Sequence, residues 1–378
     1  MEGKKLAIIG ASYLQEPLIV RAKELGIETH VFAWDNGASA SAKADFFYPI
    51  SIINKDEIFE ECQKIGIDGI TSVASDVAVE TVNYIAELMR LTGNSNECSI
   101  KSRDKFEMRK ALSSVGLNAI KYQILDSLDD SIELDFPFMV KAVDRSGSRG
   151  VTLVNNFSEF EDAYAEAYEV SFAKKVLIEE YFEGRQFSLE AITENGEHYL
   201  VAVTAEYFTG PPNFVELGSF IPASLSNEQI DLLNDNVFKA LDAVGLREGA
   251  SHTEIRLNDE GDVQIIEVGA RMGGDFRDMM VLHSTGYDFL ENVIRNSFNL
   301  NIQKPKQIHN NKRVSLVRYC TRSADYRIIE EIEKNLDLIY KDLKFDNKNF
   351  EAHSSDERKG FILAKGNIDL QLMQGFFQ

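Results

Sequence analysis

Two glutamates thirteen positions apart, Glu254 and Glu267, lie in segments that both have the alternating pattern of β-strands. The residues between these segments include Asn-Asp-Glu-Gly at 258–261, a sequence typical of a tight turn. If the hairpin turns at Glu260 and Gly261, the residue numbers of each cross-strand pair add up to 521. The pattern therefore predicts that the two carboxylates lie directly opposite each other on one face of a β-ribbon.

Two like charges that face each other in a sheet cost about 0.2 to 1 kcal/mol, and more when they are partly buried. A cation offsets that cost, and oxygen ligands of this kind suit Mg²⁺, which proteins hold with one or two carboxylates together with substrate phosphates. Glu254 and Glu267 are therefore candidate metal ligands. The alternative is a hairpin that bends elsewhere, so that the two side chains point to opposite faces and are screened by solvent.

The bulk composition limits the class of partner. The chain has 378 residues, which suggests two or three packed units, and 40 Lys and Arg against 61 Asp and Glu give a net charge of −21. That charge argues against a nucleic-acid partner and against an anionic membrane surface. No run approaches the about 18 to 20 apolar residues of a membrane-spanning helix, and the N-terminal residues favour a first strand over a signal peptide. We expect a soluble protein.

The three cysteines, Cys62, Cys98 and Cys320, are far apart and show no metal-ligand spacing. Reduced thiols are the expectation for such residues, and reduced thiols are typical of a cytoplasmic protein. We therefore expect a cytoplasmic location and assign the cysteines no role.

The order of predicted elements changes along the chain. Residues 6–100 alternate between strand-like and helix-like segments, which predicts a parallel sheet with crossover helices. The first turn, at Gly10, lacks the second and third glycines of a dinucleotide fingerprint and is a poor match for NAD binding. The helical periodicity of residues 226–244 predicts a helix that ends near Gly245. Near the C-terminus we expect a strand at 314–320, a helix near 325–334 and a final hairpin within 360–372. The predicted fold class is α/β leading into α+β.

The middle of the chain holds cations and small residues that suit a nucleoside triphosphate. Lys105 on a helix and Lys141 at the end of an apolar strand could each neutralise phosphate oxygens. The loop after Lys141 has four residues whose small side chains would let backbone N–H groups approach a phosphate: Ser146, Gly147, Ser148 and Gly150. The alternative for either lysine is a solvated surface charge, which the apolar neighbours of Lys141 oppose.

Together these residues resemble the ATP-grasp superfamily of carboxylate-amine ligases over roughly residues 5–300. The segments His-Thr-Glu-Ile-Arg at 252–256 and Ile-Glu-Val-Gly-Ala-Arg-Met-Gly-Gly-Asp at 266–275 look most like its L-amino acid ligase, or dipeptide-forming, branch. The resemblance implies an N-terminal Rossmann-like parallel sheet (the pre-ATP-grasp domain), a two-subdomain ATP-grasp fold and a small C-terminal lobe. The implied bounds are 1–100 for the first domain, 101–185 for the small lid subdomain with a linker helix, 186–305 for the large subdomain with the metal site, and 306–378 for the lobe.

The resemblance also implies roles for individual residues. Lys105 and Lys141 would contact the nucleotide phosphates, and the loop from 144 to 151 would close over them. Arg271 would face an acyl phosphate, so that Arg271, Lys141 and Glu267 would carry the catalysis. The hinge whose backbone and apolar side chains would hold adenine consists of Glu179, Glu180, Tyr181 and Phe182.

Two positions depart from the commonest pattern of the superfamily. Gln186 stands where many members have a glutamate that bonds the ribose hydroxyls, and an amide can still donate and accept hydrogen bonds there. Gly269 stands where many members have an asparagine, which removes one oxygen from the metal site. We therefore expect a ribose contact from Gln186 and a metal site that relies more on water or phosphate oxygens.

The substrate pocket is expected between the N-terminal domain and the sheet that bears Glu254. Its candidate substrate contacts are His252, Arg271, Gly273, Gly274, Asp275 and Glu216. Tyr207, Phe214 and Ser219 are further candidates for its lining, and His283 is a further candidate for a substrate contact. The alternatives are an ordinary connection between strands for the segment around Glu216, and a hydrogen-bonded structural role for His252 or His283.

The implied reaction activates a carboxylate as an acyl phosphate with ATP and joins it to an amine, releasing ADP and phosphate. The expected cofactors are ATP and Mg²⁺, with Mn²⁺ as a substitute. The expected partners are small-molecule carboxylates and amines, and a homodimer is the default assembly. Two alternatives remain: an ATP-dependent carboxylase, like carbamoyl-phosphate synthase, that uses bicarbonate, and a nucleotide-binding interaction module without turnover.

Overall fold

The computed structural model of the chain describes residues 1–117, 120–306, 313–344, 350–353 and 355–377. Within these ranges the strands form two four-stranded sheets and one eight-stranded sheet. No helix in these ranges is long and apolar enough to cross a membrane.

The N-terminal part of the chain forms a parallel sheet. Its elements are β1 (Lys5–Ile9), α1 (Glu16–Glu24), β2 (Glu28–Phe32), β3 (Phe46–Tyr48), α2 (Lys55–Ile65), β4 (Gly69–Thr71), α3 (Asp76–Met89) and α4 (Asn96–Arg103). The strand order is β3-β2-β1-β4, and every pairing is parallel, which confirms the predicted parallel sheet. Helix α3 begins after Ser75, whose side chain accepts a hydrogen bond from the Ala78 N–H, an arrangement that favours a helix N-terminus at this point.

The next segment forms an antiparallel sheet, which we call the lid sheet. Its elements are α5 (Lys105–Ser114), β5 (Tyr122–Leu125), β6 (Phe138–Ala142), β7 (Val151–Val154), α6 (Phe157–Val170) and β8 (Val176–Glu180). The strand order is β5-β8-β6-β7. One face of this sheet packs on α6 through Phe138 and Phe160, whose ring centroids are 5.8 Å apart.

The remaining elements build the eight-stranded sheet. They are β9 (Arg185–Glu194), β10 (Glu197–Phe208), β11 (Glu216–Ile221), α7 (Asn227–Val244), β12 (Gly249–Leu257), β13 (Val263–Gly269), α8 (Arg277–Thr285), α9 (Phe289–Ser297), β14 (Arg313–Tyr319), α10 (Asp325–Asn335), β15 (Asp337–Leu343), β16 (Gly360–Asn367) and α11 (Leu370–Gly375). The strand order is β13-β12-β9-β10-β11-β14-β16-β15. Helix α7 was predicted from its periodicity, and a capping box between Ser226 and Gln229 starts it.

The described residues of the C-terminal segment extend this sheet and form no separate sheet. Strand β14 pairs with β11 and with β16, so the eight-stranded sheet continues across the expected boundary at residue 305. The final hairpin expected within 360–372 is wrong, because the chain enters helix α11 after β16. Asp369 caps that helix by accepting a hydrogen bond from the Gln371 N–H.

Two hydrophobic cores pack against the eight-stranded sheet and fix the positions of its strands. One joins it to the N-terminal sheet through α8 and α9, and the other lies between it and α7, with Leu233, Val237 and Leu241 fully buried. Each such side chain contributes about 1.5 to 3 kcal/mol of transfer free energy. Helix α5 packs on α7 and β13, so the helix that carries Lys105 lies against the strand that carries Glu267.

Candidate functional site

The hairpin of β12 and β13 pairs Glu254 with Glu267, as the sequence predicted. The turn, however, differs from the prediction. The Asn258 N–H donates to the Asp262 carbonyl at 3.1 Å, and Leu257 pairs with Val263, so the register next to the turn is one residue away from the expected one. A β-bulge that leaves Ile266 unpaired restores the expected register farther along the ribbon. The predicted pair is therefore formed because a bulge compensates for a different turn.

Both glutamates line a cleft of about 390 Å³. Residues from the N-terminal part, the lid sheet and the eight-stranded sheet all contribute to it. The predicted nucleotide and metal residues that line it are Lys105, Lys141, Ser146, Gly147, Ser148, Glu179, Glu180, Tyr181, Phe182, Gln186, Glu254, Glu267 and Arg271. Gly150 is absent from the lining, since it lies against α6, where a Cβ would come within 2.7 Å of Val170. A volume of this size suits a small-molecule ligand.

Lys141 is buried at 6% exposure and is held by an ion pair with Glu179. Glu179 also accepts a hydrogen bond at 2.9 Å from Nε of Arg109, a residue that the sequence analysis did not select. Burial alone would raise the pKa of Glu179, but the two cations outweigh it and lower the pKa to about 2. The Glu179 side chain thus positions Lys141. Tyr181, another residue of the predicted hinge, places its ring next to that of Phe214, with the two ring centroids 6.0 Å apart.

Lys105 connects the loop to the metal candidates. Its Nζ donates to the Arg145 carbonyl at 2.7 Å and to Oε1 of Glu267 at 3.2 Å. The tip of the loop approaches the eight-stranded sheet, since the Ser148 hydroxyl lies 3.5 Å from the Phe214 carbonyl. The predicted cation, the predicted loop and the predicted carboxylate therefore meet at one place.

The electrostatics of the glutamate pair suit a cation. Burial, together with the charge of Glu254, raises the pKa of Glu267 despite the opposing effect of Lys105. Burial also opposes the charge of Glu254, but His252 lowers its pKa. In the described part of the chain no three His, Cys, Asp or Glu side chains group as a metal site. Burial disfavours the charged form of both carboxylates. Such a pair suits a divalent ion whose other ligands are water or phosphate oxygens.

Gln186 contacts the carboxylates that surround it. Its Nε2 donates to Oε2 of Glu254 at 3.1 Å and to Oε2 of Glu206 at 3.2 Å, while its Oε1 accepts from Nε of Arg256 at 3.1 Å. These bonds orient Glu254. The expected ribose contact would have to compete with them.

Arg271 lines the same cleft and is held by Asp76 at the start of α3. The contact is bidentate, with Nε 2.9 Å from Oδ1 and Nη2 3.1 Å from Oδ2. Its Nη1 is buried and has no hydrogen-bond partner among the described residues. A Cβ at Gly269 would lie 3.2 Å from the Arg271 guanidinium, so an asparagine there would displace it. Arg271 thus lines the cleft and has one buried donor, Nη1, without a partner among the described residues.

The candidate substrate residues divide into two groups. Those that line the cleft are His252, Glu216, Gly274, Asp275 and Phe214, whereas Gly273, Tyr207, Ser219 and His283 do not. His252 donates through Nδ1 to Oε1 of buried Glu190 at 2.5 Å. Burial opposes the charge on His252, but Glu190 raises its pKa to about 10, so the imidazole is protonated at neutral pH. His252 therefore lines the cleft and also has the hydrogen-bonded structural role that was its alternative.

Several residues of the site were missed by the sequence analysis: Asp76, Arg109, Glu190, Glu206, Arg277 and Arg358. Two of them left a signal. Arg109 follows Lys105 by one helical turn on α5, which places the two side chains on one face. Glu190 is a single acid in the otherwise apolar middle of β9, where a buried charge needs a partner. Arg358 left none, because its contacts come only from the tertiary fold.

The comparison with a protein-family model agrees with this geometry. Residues 134–278 match the model described as "ATP-grasp domain". The chain is 26% identical over 269 residues to alanine–anticapsin ligase of Bacillus subtilis (strain 168), which covers 61% of this chain and 56% of the relative. It is 26% identical over 262 residues to the carbamoyl phosphate synthase large chain of Campylobacter jejuni, over 65% of this chain and 23% of the relative. The chain thus spans little more than half the length of the first of these relatives.

Solved structures share the fold at lower identity. The L-amino acid ligase from Bacillus licheniformis superposes with a TM-score of 0.82 at 22% identity, covering 100% of this chain and 96% of the other. The phosphoribosylglycinamide synthetase from Anaerococcus prevotii gives a TM-score of 0.74 at 22% identity, covering 98% and 96%. The chain has the ATP-grasp fold, which confirms the fold that the resemblance implied.

Proposed function

We propose that this ATP-grasp protein is a ligase that activates a carboxylate as an acyl phosphate and joins it to an amine, releasing ADP and phosphate. The observation that carries the proposal is the convergence of two lysines, two facing glutamates and an arginine with a free donor on one cleft. The sequence similarity to alanine–anticapsin ligase supports it.

Phosphoryl transfer requires positioning and charge stabilisation more than covalent help from the protein. Lys141, fixed by Glu179, and Lys105, fixed by the loop carbonyl, would neutralise oxygens of the triphosphate. The aromatic pair of Tyr181 and Phe214 would offer an apolar surface to the adenine ring. Each group is held by contacts within the protein, and groups positioned in this way need little reorganisation when a nucleotide binds.

Glu254 and Glu267 would hold Mg²⁺, or Mn²⁺ in its place. A bound ion would supply positive charge against the negative charge that develops during phosphoryl transfer. Gln186 would keep Glu254 oriented, and Lys105 would contact both Glu267 and the nucleotide. Gly269 provides no side-chain oxygen, so the number of ions is a question for metal titration.

A carboxylate is a poor acyl donor, and transfer of the γ-phosphoryl group gives it a phosphate leaving group. The carboxylate oxygen forms the new bond to phosphorus while the bond to ADP breaks. The amine then attacks the carbonyl carbon, phosphate leaves, and the amine loses a proton. Arg271, fixed by Asp76, would stabilise the negative charge on the acyl phosphate and on the tetrahedral intermediate.

The rival with the same fold is an ATP-dependent carboxylase that phosphorylates bicarbonate. The similarity to carbamoyl phosphate synthase is the observation that favours it. Bicarbonate dependence of ADP release distinguishes this enzyme from the ligase. A nucleotide-binding module without turnover would retain ATP and release no ADP.

The decisive experiment incubates the protein with MgATP and a panel of amino acids, small carboxylic acids and amines. ADP and phosphate release are measured, and the mass of the product of each active pair is determined by mass spectrometry. We expect an amide whose mass is the sum of acid and amine less one water. Release of AMP, or no ADP release with any member of the panel, would contradict the proposal.

Further properties belong to the same proposal. Three buried free cysteines among the described residues suit a reducing compartment, which supports the cytoplasm as its location. Segments 1–100, 101–185, 186–305 and 306–378 are the proposed domains, and a homodimer is the proposed assembly. Light scattering after size exclusion tests the assembly, and limited proteolysis tests the boundaries.

A further inference from the structure

A small side opening adjoins the cleft where the loop of residues 144–151 meets α3 and α4. Asp76 and Glu267 line both the cleft and the opening, whereas Val77 and Phe172 line the opening alone. Phe172 is 59% exposed, so the opening lies between the metal candidates and the protein surface. Its volume of about 20 Å³ accommodates roughly one water molecule. A larger ion passes only if the side chains around the opening move.

Three arginines surround this side opening. Arg103 is the last residue of α4, and Arg145 and Arg149 belong to the loop. Arg103 pairs with Glu80 at 2.9 Å, but neither loop arginine forms an ion pair with the described residues. The carboxylate of Asp144 is occupied by three donors from the segment that follows α6. Two positive charges therefore lack a paired carboxylate in a chain whose net charge is −21.

The arginines also have buried donors without acceptors. Nε of Arg103 and Nε of Arg145 are buried and make no hydrogen bond to the described residues. Burial, together with the charges of Arg149 and Arg103, lowers the pKa of Arg145, and only Asp144 opposes this effect. A buried donor without an acceptor is unfavourable, and a guanidinium stays charged at neutral pH. An anion is therefore the ligand that these groups suit.

The ring of Phe172 holds two of these guanidinium groups. Cζ of Arg145 lies 4.3 Å from the ring centroid, and Cζ of Arg103 lies 5.9 Å from it. A ring face attracts the charge of a guanidinium and leaves N–H groups available to an anion. Arg145 is thus placed beside the opening by a contact that does not satisfy its donors.

Phosphate is the anion whose charge and shape match this site. It is close to a dianion at neutral pH, which suits two unpaired arginines, and guanidinium groups bind phosphate oxygens in bidentate geometry. The proposed reaction forms phosphate at this end of the cleft, beside Glu267. Lys105 joins the two places, because its Nζ contacts Oε1 of Glu267 at 3.2 Å and the Arg145 carbonyl at 2.7 Å. A phosphate formed there would lie beside the opening.

We propose that Arg103, Arg145 and Arg149 form a binding site for inorganic phosphate, and that the phosphate product of the reaction leaves the cleft through this side opening. The arginines attract the anion away from the lysines and the metal ligands, while ADP and the amide product occupy the remainder of the cleft. The source of the phosphate rests on the proposed ligase function, whereas binding of added phosphate requires no turnover. Binding and release are therefore tested separately.

The first experiment measures binding to the full chain by equilibrium dialysis with radiolabelled phosphate. Mg²⁺ and a non-hydrolysable ATP analogue are present at saturation, so that the triphosphate positions are filled. We expect about one phosphate per chain, and a Kd that rises about tenfold or more in Arg145→Gln and in Arg149→Gln. Arg145→Lys keeps the charge but not the planar donor group, so its Kd should lie between those of the wild type and Arg145→Gln.

The second experiment follows a single turnover with a substrate pair that the protein uses. Acid quenching gives the rate at which phosphate forms, and a fluorescent phosphate-binding sensor gives the rate at which it reaches solvent. In Arg145→Gln and Arg149→Gln release should slow about tenfold, because the attraction towards the opening is lost, while the KM for MgATP and the rate of formation stay within about twofold. Val77→Phe, which narrows the opening without lining the cleft, should slow release in the same way.

Arg327→Gln is the matched control. It removes the same charge from an exposed position on α10 that lines neither the cleft nor the opening, so the Kd for phosphate and the release rate should not change. Melting temperatures identify any variant that does not fold. Arg149 is exposed, so Arg149→Gln should keep the fold and decides the outcome if a variant of Arg145 does not.

Three results overturn the proposal and leave the ligase function standing. Unchanged phosphate binding in both loop variants would remove the site, and unchanged release in these variants and in Val77→Phe would remove the exit. A rise in the KM for MgATP larger than the change in release would assign the arginines to the nucleotide instead. If no substrate pair yields ADP, the ligase function and the exit fall together, and dialysis alone decides the phosphate site.

Discussion

Arg109 and Glu179 form an ion pair with Nε 2.9 Å from Oε2, and both side chains are at most 2% exposed. The same guanidinium donates to the carbonyls of Ile265 and Ile266 at 2.8 and 3.0 Å, next to Glu267. One side chain therefore orders the partner of Lys141 and the strand that carries a metal candidate. Because Arg109 is not among the residues that line the cleft, we infer that it is a positioning residue.

Replacing Arg109 with methionine tests this arrangement. Glu179 and two buried carbonyls would lose donors, and breaking a buried ion pair costs about 3 to 5 kcal/mol. We expect that loss in the free energy of unfolding, measured with urea, and a higher KM for MgATP in Arg109→Lys, which keeps the charge but not the three-way geometry. Lys110→Met is the control, since Lys110 is 53% exposed. A wild-type KM in Arg109→Lys would contradict the positioning role.

The pH dependence of stability tests the Glu179 cluster independently. Arg109 and Lys141 overcome the effect of burial and lower the pKa of Glu179 to about 2, below its ordinary value of 4.5. A lowered carboxyl pKa stabilises the folded state above pH 4.5, and this contribution is lost as the pH falls towards 2. The melting temperature of Glu179→Gln should therefore lie below that of the wild type from pH 5 to 7. The difference should shrink below pH 4.5, and a difference that stays constant down to pH 3 would contradict the cluster.

Metal removal tests the glutamate pair. MgADP should raise the melting temperature, because a ligand at 100 times its Kd adds about 2.7 kcal/mol of stability. EDTA should remove most of this increase in the wild type. In Glu267→Gln, MgADP should raise the melting temperature only by the smaller amount, with or without EDTA. The variant should form no ADP, and its melting temperature without ligand should stay near that of the wild type. An equal magnesium effect in Glu267→Gln would exclude it as a metal ligand.

Asp76→Asn tests how Arg271 is held. The amide retains the shape of the side chain but not the charge, so Arg271 loses a bidentate ion pair. Misplacing a catalytic group costs about 10- to 100-fold in rate, and we expect kcat for ADP release to fall by that factor while the KM for MgATP stays constant. Asp56→Asn, at an exposed residue of α2, should leave kcat unchanged. A larger effect on KM than on kcat would place Asp76 in nucleotide binding.

Local patterns predicted those parts of the molecule that depend on neighbours in sequence. The parallel N-terminal sheet followed from alternating segments, helix α7 from its periodicity and the glycine at its end, and the pair Glu254 and Glu267 from alternation around a turn. The ATP-grasp fold followed from the combination of motifs, and the family-model match at 134–278 agrees with it.

Other parts depend on contacts that no local pattern records. The partners of Arg109 lie 70 and 156 residues away, and Arg358 reaches Glu216 across 142 residues. Helix α11 was missed because its six residues are too few to show a helical period. The bulge was missed because turn residues alone do not fix where a strand takes up an extra residue.

The bulge also has a consequence for how the site could be lost. Strand β12 is anchored on its other edge by nine residue pairs with β9, whereas β13 is the outer strand of its sheet, so only β13 can shift along its neighbour. Side chains of a strand alternate between faces, and a shift of β13 that removed the bulge would place Ile266 opposite Glu254 and turn Glu267 to the other face. The carboxylate pair would then be lost without a change in any of the ionisable groups of the site.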